Sequence, residues 1–431
     1  MKKIVASVGM VAVGVSGACA YSPGLSAMDA SKTWSVSATL RGFYDDNYAY
    51  RSTDERKSYG FDVSPSVRFN LPLEQTYLGL RYIYSGRYYE DRDGNDPAGQ
   101  NDPWDHSHQF DFLLNHTFSE RYSVDLQDSF VIAQEPELLS PSGGALPVLF
   151  RTEGNNLRNQ ARGTLNAQMT RLLGLQVGYN NVLWDYEDNG GTSLQPSRSG
   201  LLDRMEHLAL LNLRWQVQPE TTAILGYNFG TVQYNGDEAI GVLPFYGLVG
   251  SSDRDNQSHY VYAGLNQNFL RNVSASLKVG ATYIDYDNNM VNSDAWIPYA
   301  DISASFTYAR GSYVQVGFVH SFNATDVIAP DATAGTVTGS QETSTLYGLV
   351  HHQITPKLVG SLHAHFQDSS FQGGLYDSNN DQFLMLGANL TYQINRHFSC
   401  EAGYNFDHLT SDIPNRPFDR NRVYLGVTAS Y

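Results

Sequence analysis

The 431-residue sequence predicts an all-β fold, a transmembrane antiparallel up-and-down β-barrel of about 18 strands within a range of 16 to 18. Three observations predict it. Apolar and polar residues alternate strictly in successive segments, short turns alternate with long polar connections, and an apolar-faced strand runs to the last residue. The mean hydropathy of −0.36 agrees, because a barrel strand shows lipid only every second residue.

The N-terminus predicts export. Lys2 and Lys3 precede an apolar stretch over residues 4–17, and Ala18-Cys19-Ala20 forms a small-residue cleavage site. We therefore expect a signal peptide over 1–20, a short periplasmic segment over 21–32, and the barrel over 33–431. The short segment leaves no room for a plug domain. Export of a barrel predicts the outer membrane of a Gram-negative cell, with both termini in the periplasm.

The first two strand candidates set the pattern. Trp34, Val36, Ala38 and Leu40 share one face of the first, and Ser35, Ser37, Thr39 and Arg41 share the other. The second strand alternates in the same way from Tyr59 to Leu71. Pro65 lies within it and cannot donate a ladder hydrogen bond, so we expect a bulge or a local bend there.

Eight short turns follow at regular intervals, near residues 72–74, 119–120, 170–171, 219–220, 271–272, 310–311, 356–357 and 395–396. Connections rich in Gly, Pro, Asp and Asn separate the hairpins. One strand on each side of every turn, with a first and a last strand, gives about eighteen strands. The segments 181–186 and 345–351 lose phase, which indicates bulges or miscounted strand ends. Asp128 falls on an apolar face, so we expect a bulge or an interfacial depth there.

The closing strand carries Val423, Leu425, Val427, Ala429 and Tyr431 on one face. A terminal aromatic after alternating apolar residues resembles the C-terminal signal that the barrel assembly machinery reads. This ending, the opening run from Trp34 to Ala38 with Tyr44-Asp45-Asp46-Asn47 after it, and the tyrosine-rich strands resemble the β-barrel porins of Gram-negative outer membranes. The resemblance implies a passive outer-membrane channel and supplies no catalytic set.

Charged residues of the polar faces are the candidate pore lining. They are Arg41, Arg68, Arg81, Arg158, Arg162, Arg214, Arg422, Asp111, Asp125, Asp301 and Glu401. One interpretation is that they pair with one another along a wet wall. The other is that Arg422, Arg41, Arg68 and Arg81, on the last and first three strands, form one positive wall that biases ion passage.

Two long connections are unusually apolar, over residues 143–150 and 240–249. Such loops pack against each other over the mouth, fold into the pore, or contact a neighbouring subunit, in that order of expectation.

Other functions are weighed against the channel. A net charge of −16 argues against a nucleic-acid partner, and the sequence predicts no metal or cofactor. His397, Ser399 and Asn405 share a face and superficially suggest a hydrolase, but they lie beside a short turn, far from the outer rim. We therefore expect no enzyme. Polysaccharide export and a scaffold or adhesion role remain alternatives. The expected partners are outer-membrane lipid and lipopolysaccharide, the barrel assembly machinery, and small hydrophilic solutes.

Overall fold

The computed structural model describes residues 32–92, 102–133, 155–187, 196–288 and 294–431. The expected signal peptide, nearly all of the segment 21–32, and the apolar connection 143–150 lie outside the described residues.

Eighteen strands form one antiparallel sheet in which each strand pairs with its neighbours along the chain, and the first and last strands pair to close it. The predicted barrel of 18 strands is confirmed. The barrel strands are β1 (Trp34–Asp45), β2 (Ser58–Pro72), β3 (Thr76–Tyr89), β4 (Trp104–Ser119), β5 (Tyr122–Ala133), β6 (Asn156–Gln168), β7 (Leu173–Tyr186), β8 (Arg204–Gln218), β9 (Thr221–Tyr234), β12 (Asn256–Leu270), β13 (Val273–Tyr286), β14 (Ala295–Ala309), β15 (Ser312–Ala324), β18 (Ser340–Thr355), β19 (Leu358–Gln372), β20 (Asn380–Gln393), β21 (Phe398–Ser411) and β22 (Phe418–Ser430).

Secondary structure outside the barrel is confined to the long connections. It comprises the helix α1 (Arg198–Leu202), a 3-10 turn at Ser251–Arg254, and two small hairpins, β10 (Ala239–Leu243) with β11 (Gly247–Gly250) and β16 (Pro330–Asp331) with β17 (Thr336–Val337). In the described part of the chain, no helix is long and apolar enough to cross a membrane.

The two ends of the barrel differ. All eight predicted short turns join strands at one end, which we call the turn end, and the long connections lie at the other, the loop end. Register shifts in the barrel ladders occur only beside turns, as between Asn268 and Leu270. The barrel wall is therefore regular, and irregular structure collects at the loop end.

Alternation separates an apolar outer face from a polar inner face. Trp34 and Leu425 on the outer face are 64% and 67% exposed, whereas Asp111 on the inner face is fully buried. Every Lys and Arg of the described strands falls on the inner face by strand phase: Arg41, Arg68, Arg81, Arg87, Arg158, Arg162, Arg204, Arg214, Lys278, Arg420 and Arg422. A cation in lipid would cost about 2–4 kcal/mol near the midplane, which accounts for this one-sidedness.

The bulges expected from the sequence do not occur. The β2–β3 ladder lacks pairs at Ser64 and Pro65 but keeps its register, because Pro65 still lies opposite Ala38 on β1. The segments 181–186 and 345–351 keep continuous registers with both neighbours. Asp128 also keeps register, and Asn159 donates to its carboxylate at 2.9 Å, so a neighbouring amide satisfies the outward charge.

Segments from three connections pack together at the loop end. Ile240, Leu243 and Val249 of the β10–β11 hairpin form a buried apolar cluster with Val337, and Leu201 of α1 packs against it. We call this cluster the loop cap. The arrangement expected first, packing of 240–249 against 143–150, involves residues outside the described part of the chain; residues 240–249 pack against segments of two other connections.

Two arginines tie the connections together. Arg254 is fully buried, donates to the Leu201 carbonyl at 2.7 Å, and lies 3.8 Å above the Tyr234 ring. Arg416 pairs with Asp326 at 2.8 Å and with Asp381 at 2.6 Å. Burial alone would lower the pKa of Arg416, but these two carboxylates raise it above its ordinary value. The connections at the loop end are therefore held together by charged contacts as well as apolar ones.

Candidate channel lining

The arginines expected to form one positive wall are mostly neutralised where they stand. Arg41 contacts Glu401 at 2.7 Å, Arg81 contacts Asp111 at 2.6 Å, and the guanidinium of Arg422 lies 2.9 Å from Asp45. Asp111 and Asp45 lie on strands adjacent to those of their arginines, whereas Glu401 on β21 reaches Arg41 on β1 across β22. Arg41 and Arg81 therefore carry little free positive charge into the lumen, whereas Arg68 makes no ion pair with a described residue.

These arginines also lie at different depths. In the register of β1, Arg422 lies opposite Asp45 and Arg68 lies opposite Ser35, with Arg41 between these levels. Four residues along a strand correspond to about 13 Å and six to about 20 Å. Only Arg68 and Arg81 lie directly opposite each other. The four arginines form no single constriction.

Arg41 is held in place on two sides. Its Nε and Nη2 atoms donate to Glu401 Oε1 at 3.0 and 2.7 Å, and its guanidinium lies 4.7 Å from the centre of the Tyr424 ring. That ring lies against Gly403, where an added Cβ would fall 2.1 Å from a ring carbon. Glycine at this position lets the ring lie flat on the wall, where it supports the arginine.

The predicted acidic residues have inner-face partners too. Asp111 accepts from Ser129 at 2.8 Å as well as from Arg81, and Asp125 accepts from Asn115 at 2.7 Å. Lys278 lies 3.3 Å from Asp301. Hydrogen bonds and ion pairs therefore fix these carboxylates against the wall.

A different group of arginines is left without a carboxylate in contact. Within the described ranges, Arg68 on β2 makes no ion pair or side-chain hydrogen bond, and neither do the three arginines Arg158, Arg162 and Arg214 on β6 and β8. The guanidinium of Arg158 lies 6.0 Å from the Trp184 ring, and the carboxylate that acts on Arg162 electrostatically is Asp125. We call these three arginines the β6–β8 column.

The register places the column along one wall. On β7, Arg158 lies opposite Trp184, Arg162 opposite Asn180, and Arg214 opposite Gly174. The three side chains are therefore spaced by four and six residues, or about 13 and 20 Å, from near the loop end toward the turn end. Positive charge is distributed over most of the depth of this wall.

Sequence reasoning missed the largest charged network. Arg420 donates to both oxygens of Asp45, and Arg422 shares the same carboxylate. Asp45 was noted only as part of an acidic run at the end of the first strand. Its inward phase, opposite the two arginines of the last strand, was the signal that could have identified it.

The closing strand pairs with β1 up to its final residue. Val36 and Tyr431 exchange backbone hydrogen bonds at 2.8 and 3.2 Å, and Val423, Leu425, Val427 and Ala429 share the outer face with Tyr431. Lys32 lies 5.4 Å from the Tyr431 ring. The geometry seals the barrel at its seam, and reading by the assembly machinery stays a prediction.

The residues that suggested a hydrolase do not assemble. The His397 ring stacks on Tyr431, and its Nδ1 atom lies 3.0 Å from the carbonyl of Ser430. Ser399 and Asn405 pair with Thr428 and Arg422, six residues apart along β21, or about 20 Å. The three side chains form no hydrogen-bonded array.

The C-terminal part of the chain matches a known protein family. Residues 321–431, 111 positions or about a quarter of the chain, match a family model described as "Putative beta-barrel porin 2". The matched strands, β18 to β22, include the closing strand with Arg420 and Arg422. The C-terminal quarter of the chain is therefore similar to this family of β-barrel porins. A closed barrel of 18 antiparallel strands with an apolar outer face belongs in the outer membrane of a Gram-negative cell.

The solved structures that match share little sequence with this chain. OccK9 (OpdG) of Pseudomonas aeruginosa is 12% identical, with a TM-score of 0.46 over 92% of this chain and 98% of that one. A BenF-like porin from Pseudomonas fluorescens Pf-5 is 12% identical, with a TM-score of 0.46 over 93% and 99%. A mutant of the ferric enterobactin receptor PfeA of Pseudomonas aeruginosa is 10% identical, with a TM-score of 0.46 over 92% and 81%. No curated protein sequence matches this chain.

Proposed function

We propose that this protein is a porin that conducts ions and small hydrophilic solutes passively. We also propose that the β6–β8 column biases which ions pass. The loop end faces the exterior and the turn end the periplasm, as in other outer-membrane barrels. The observation that carries the proposal is the contrast between Arg158, Arg162 and Arg214, which have no carboxylate in contact, and the paired arginines near the seam.

Unpaired cations matter more than paired ones in such a channel. A guanidinium 2.6 Å from a carboxylate presents a small dipole to a passing ion, whereas an isolated guanidinium presents a full charge. Low-dielectric walls focus the field inside a narrow passage. Successive positive positions along one wall therefore attract anions over much of the barrel length and repel cations.

Planar bilayer recording tests this proposal. The variant R158Q/R162Q/R214Q removes three charges, and its zero-current potential in a salt gradient should shift toward cation preference relative to the parent. The shift should be larger at 0.1 M salt than at 1 M, where the screening length falls from about 10 Å to about 3 Å. A matched variant, R121Q/R171Q/R310Q, removes three turn-end arginines outside the wall and should shift the potential much less.

Two results would contradict the proposal. Well-folded parent protein that gives no conductance steps would favour the scaffold alternative over a channel. A triple column variant that folds normally and keeps the parental zero-current potential would remove the column from any role in selectivity.

A further inference from the structure

The outer face carries a repeated pair of side chains near the loop end. Tyrosine hydroxyls lie within hydrogen-bond distance of histidine Nδ1 on the adjacent strand in four pairs, at 2.8, 2.9, 2.6 and 2.8 Å: Tyr84–His106, Tyr82–His108, Tyr179–His207 and Tyr227–His259. Each imidazole lies within five residues of the loop end of its strand. Each pair joins two strands linked by a long connection. We call them the tyrosine–histidine pairs.

The hydrogen bonds fix which imidazole nitrogen faces outward. At His207, Nδ1 also lies 3.1 Å from the amide nitrogen of Asn181, which can only donate. Nδ1 of His207 therefore accepts, and the proton of the neutral ring is on Nε2. In the other three pairs we assign the same tautomer, in which the phenol hydroxyl donates to Nδ1. Among the described residues, no side chain accepts a hydrogen bond from Nε2 of these four histidines.

Few other donors are available at this level of the outer face. Every Lys and Arg of the described strands faces inward, so the outward polar side chains near the loop end are imidazoles, phenols, amides and carboxylates such as those of Asp185 and Asp285, of which the carboxylates donate no hydrogen bond. On the same outer face and closer to the midplane, Phe110 follows His108, and Val261 follows His259; both are exposed and apolar. Hydrogen-bond donors thus lie on the loop-end side of an apolar surface that acyl chains can contact. An amphipathic lipid needs both features.

We propose that the tyrosine–histidine pairs bind the phosphate groups of a phosphorylated glycolipid in the outer leaflet, with histidine Nε2–H as the donor. A hydrogen bond to a charged acceptor is stronger than one to a neutral acceptor, and a donor near the bilayer is costly to leave unpaired. The inference depends on the loop end facing the exterior. It does not depend on conduction, so failure of the channel proposal leaves it intact.

Another tyrosine–histidine pair supplies the control. Tyr308 and His352 have the same geometry, with the hydroxyl 2.8 Å from Nδ1 and the rings stacked 19° from parallel, but they lie at the turn end. A His352→Phe variant removes an equivalent imidazole from the opposite side of the membrane. Phenylalanine keeps the ring packing and loses the donor.

The experiment measures lipid binding to refolded full-length protein in detergent by native mass spectrometry. The probes are diphosphorylated lipid A and the same lipid with both phosphates removed. The parent should prefer the phosphorylated probe, and H106F/H108F/H207F/H259F should bind it at least about tenfold more weakly. H352F should bind it like the parent, and binding of the dephosphorylated probe should be the same for all three proteins.

The double variants H106F/H108F and H207F/H259F keep the test valid if the quadruple variant does not fold, and each should show part of the loss. Unchanged affinity in folded variants would overturn the proposal. An equal loss for the dephosphorylated lipid would show that phosphate is not the group recognised, and an equal loss in H352F would show that position in the membrane is irrelevant. Either result would also overturn it.

Discussion

Arg420 on the last strand donates to both carboxylate oxygens of Asp45 on the first, with Nε at 3.1 and 3.0 Å and Nη2 at 2.6 Å. Asp45 is fully buried and Arg420 is 2% exposed. The two strands they join are separated by almost the whole chain, and Arg422 shares the same carboxylate. One buried carboxylate therefore contacts two arginines at the seam.

Replacing that anion should weaken closure. In Asp45→Ala, two inner-face arginines lose their counter-charge, and breaking a buried pair in this way costs about 3–5 kcal/mol. We expect a lower temperature for the loss of heat-modifiable gel mobility and a lower yield of folded barrel. Asp419→Ala is the control, because the pair of Asp419 with His408 is exposed and should contribute about 1 kcal/mol or less. Equal stability of the two variants would contradict the structural role of Asp45.

Paired and unpaired arginines should respond differently to neutralisation. The variant R41Q/R81Q/R422Q leaves Glu401, Asp111 and Asp45 short of positive charge, so its main effect should be lost stability. R158Q/R162Q/R214Q should instead unfold at the parental urea concentration, within about 0.5 kcal/mol. Urea unfolding followed by tryptophan fluorescence measures both. The prediction is wrong if the column variant is the less stable of the two.

The loop cap should restrict the mouth. Val249 is fully buried in the cap, so Val249→Asp places an unpaired carboxylate among apolar side chains and should open it. Larger or noisier single-channel steps are expected. The adjacent Leu248 is 65% exposed, and Leu248→Asp should leave the step size unchanged. Identical recordings from the two variants would show that the cap does not limit the current.

The terminal aromatic should matter for assembly. Tyr431 is 81% exposed on the outer face, so Tyr431→Asp places a charge at the lipid boundary and removes the feature that resembles an assembly signal. We expect several-fold less folded barrel in outer-membrane fractions, measured by heat-modifiable mobility. Tyr431→Phe keeps an aromatic ring and should assemble normally. Full recovery of the Asp variant would argue against a signal at this strand.

Stability of the connections should fall as pH rises from about 4 to 7. Burial raises the pKa of Asp203 to about 7, while the Tyr186 N–H, which donates to it at 2.7 Å, acts in the opposite direction. Because the folded pKa exceeds the unfolded value of about 3.9, folding is favoured most below the unfolded pKa, and that advantage is lost progressively up to the folded pKa. Hydrogen exchange at the Tyr186 amide, corrected for intrinsic rates, should report more opening at pH 8 than at pH 5. Asp203→Asn should flatten this dependence.

The sequence predicts which residues face lipid better than it predicts which charges on the inner face pair. Alternation from Trp34 to Leu40 fixes the face of each residue, because a strand has a period of two and lipid contacts one side. The positions of the turns follow from the same pattern. Phase loss near Trp184 and Tyr186 looked like a bulge, yet the register is intact. These aromatic side chains face inward by strand phase, and Tyr186 packs there against Leu202 of α1 at the loop end.

Charge pairing could not be predicted in the same way. Arg41 and Glu401 meet because β21 and β1 flank β22 in the closed sheet, although 360 positions separate them in the chain. Alternation predicts that Arg41 and Glu401 both face inward. It does not predict whether the two side chains lie at the same depth in the barrel. Depth depends on the stagger of every ladder between them. For this reason the unpaired column appeared on β6 and β8 rather than at the seam.

The seam has a further consequence. All other barrel ladders join strands that are neighbours along the chain, and only β1 with β22 joins distant ones, ending in the paired backbones of Val36 and Tyr431. The wall is therefore a closed ring of similar hairpins. The position of the two termini is set by where the coding sequence starts and stops, and the geometry of the ring does not require it. A permuted chain, with its old ends linked and new ends opened at a turn such as 356–357, would present the same set of ladders in rotated order. Its last strand would be β18, which carries neither Asp45 nor its arginines. In the permuted chain, the strand at the C-terminus would therefore differ from the strands whose ion pairs hold the seam.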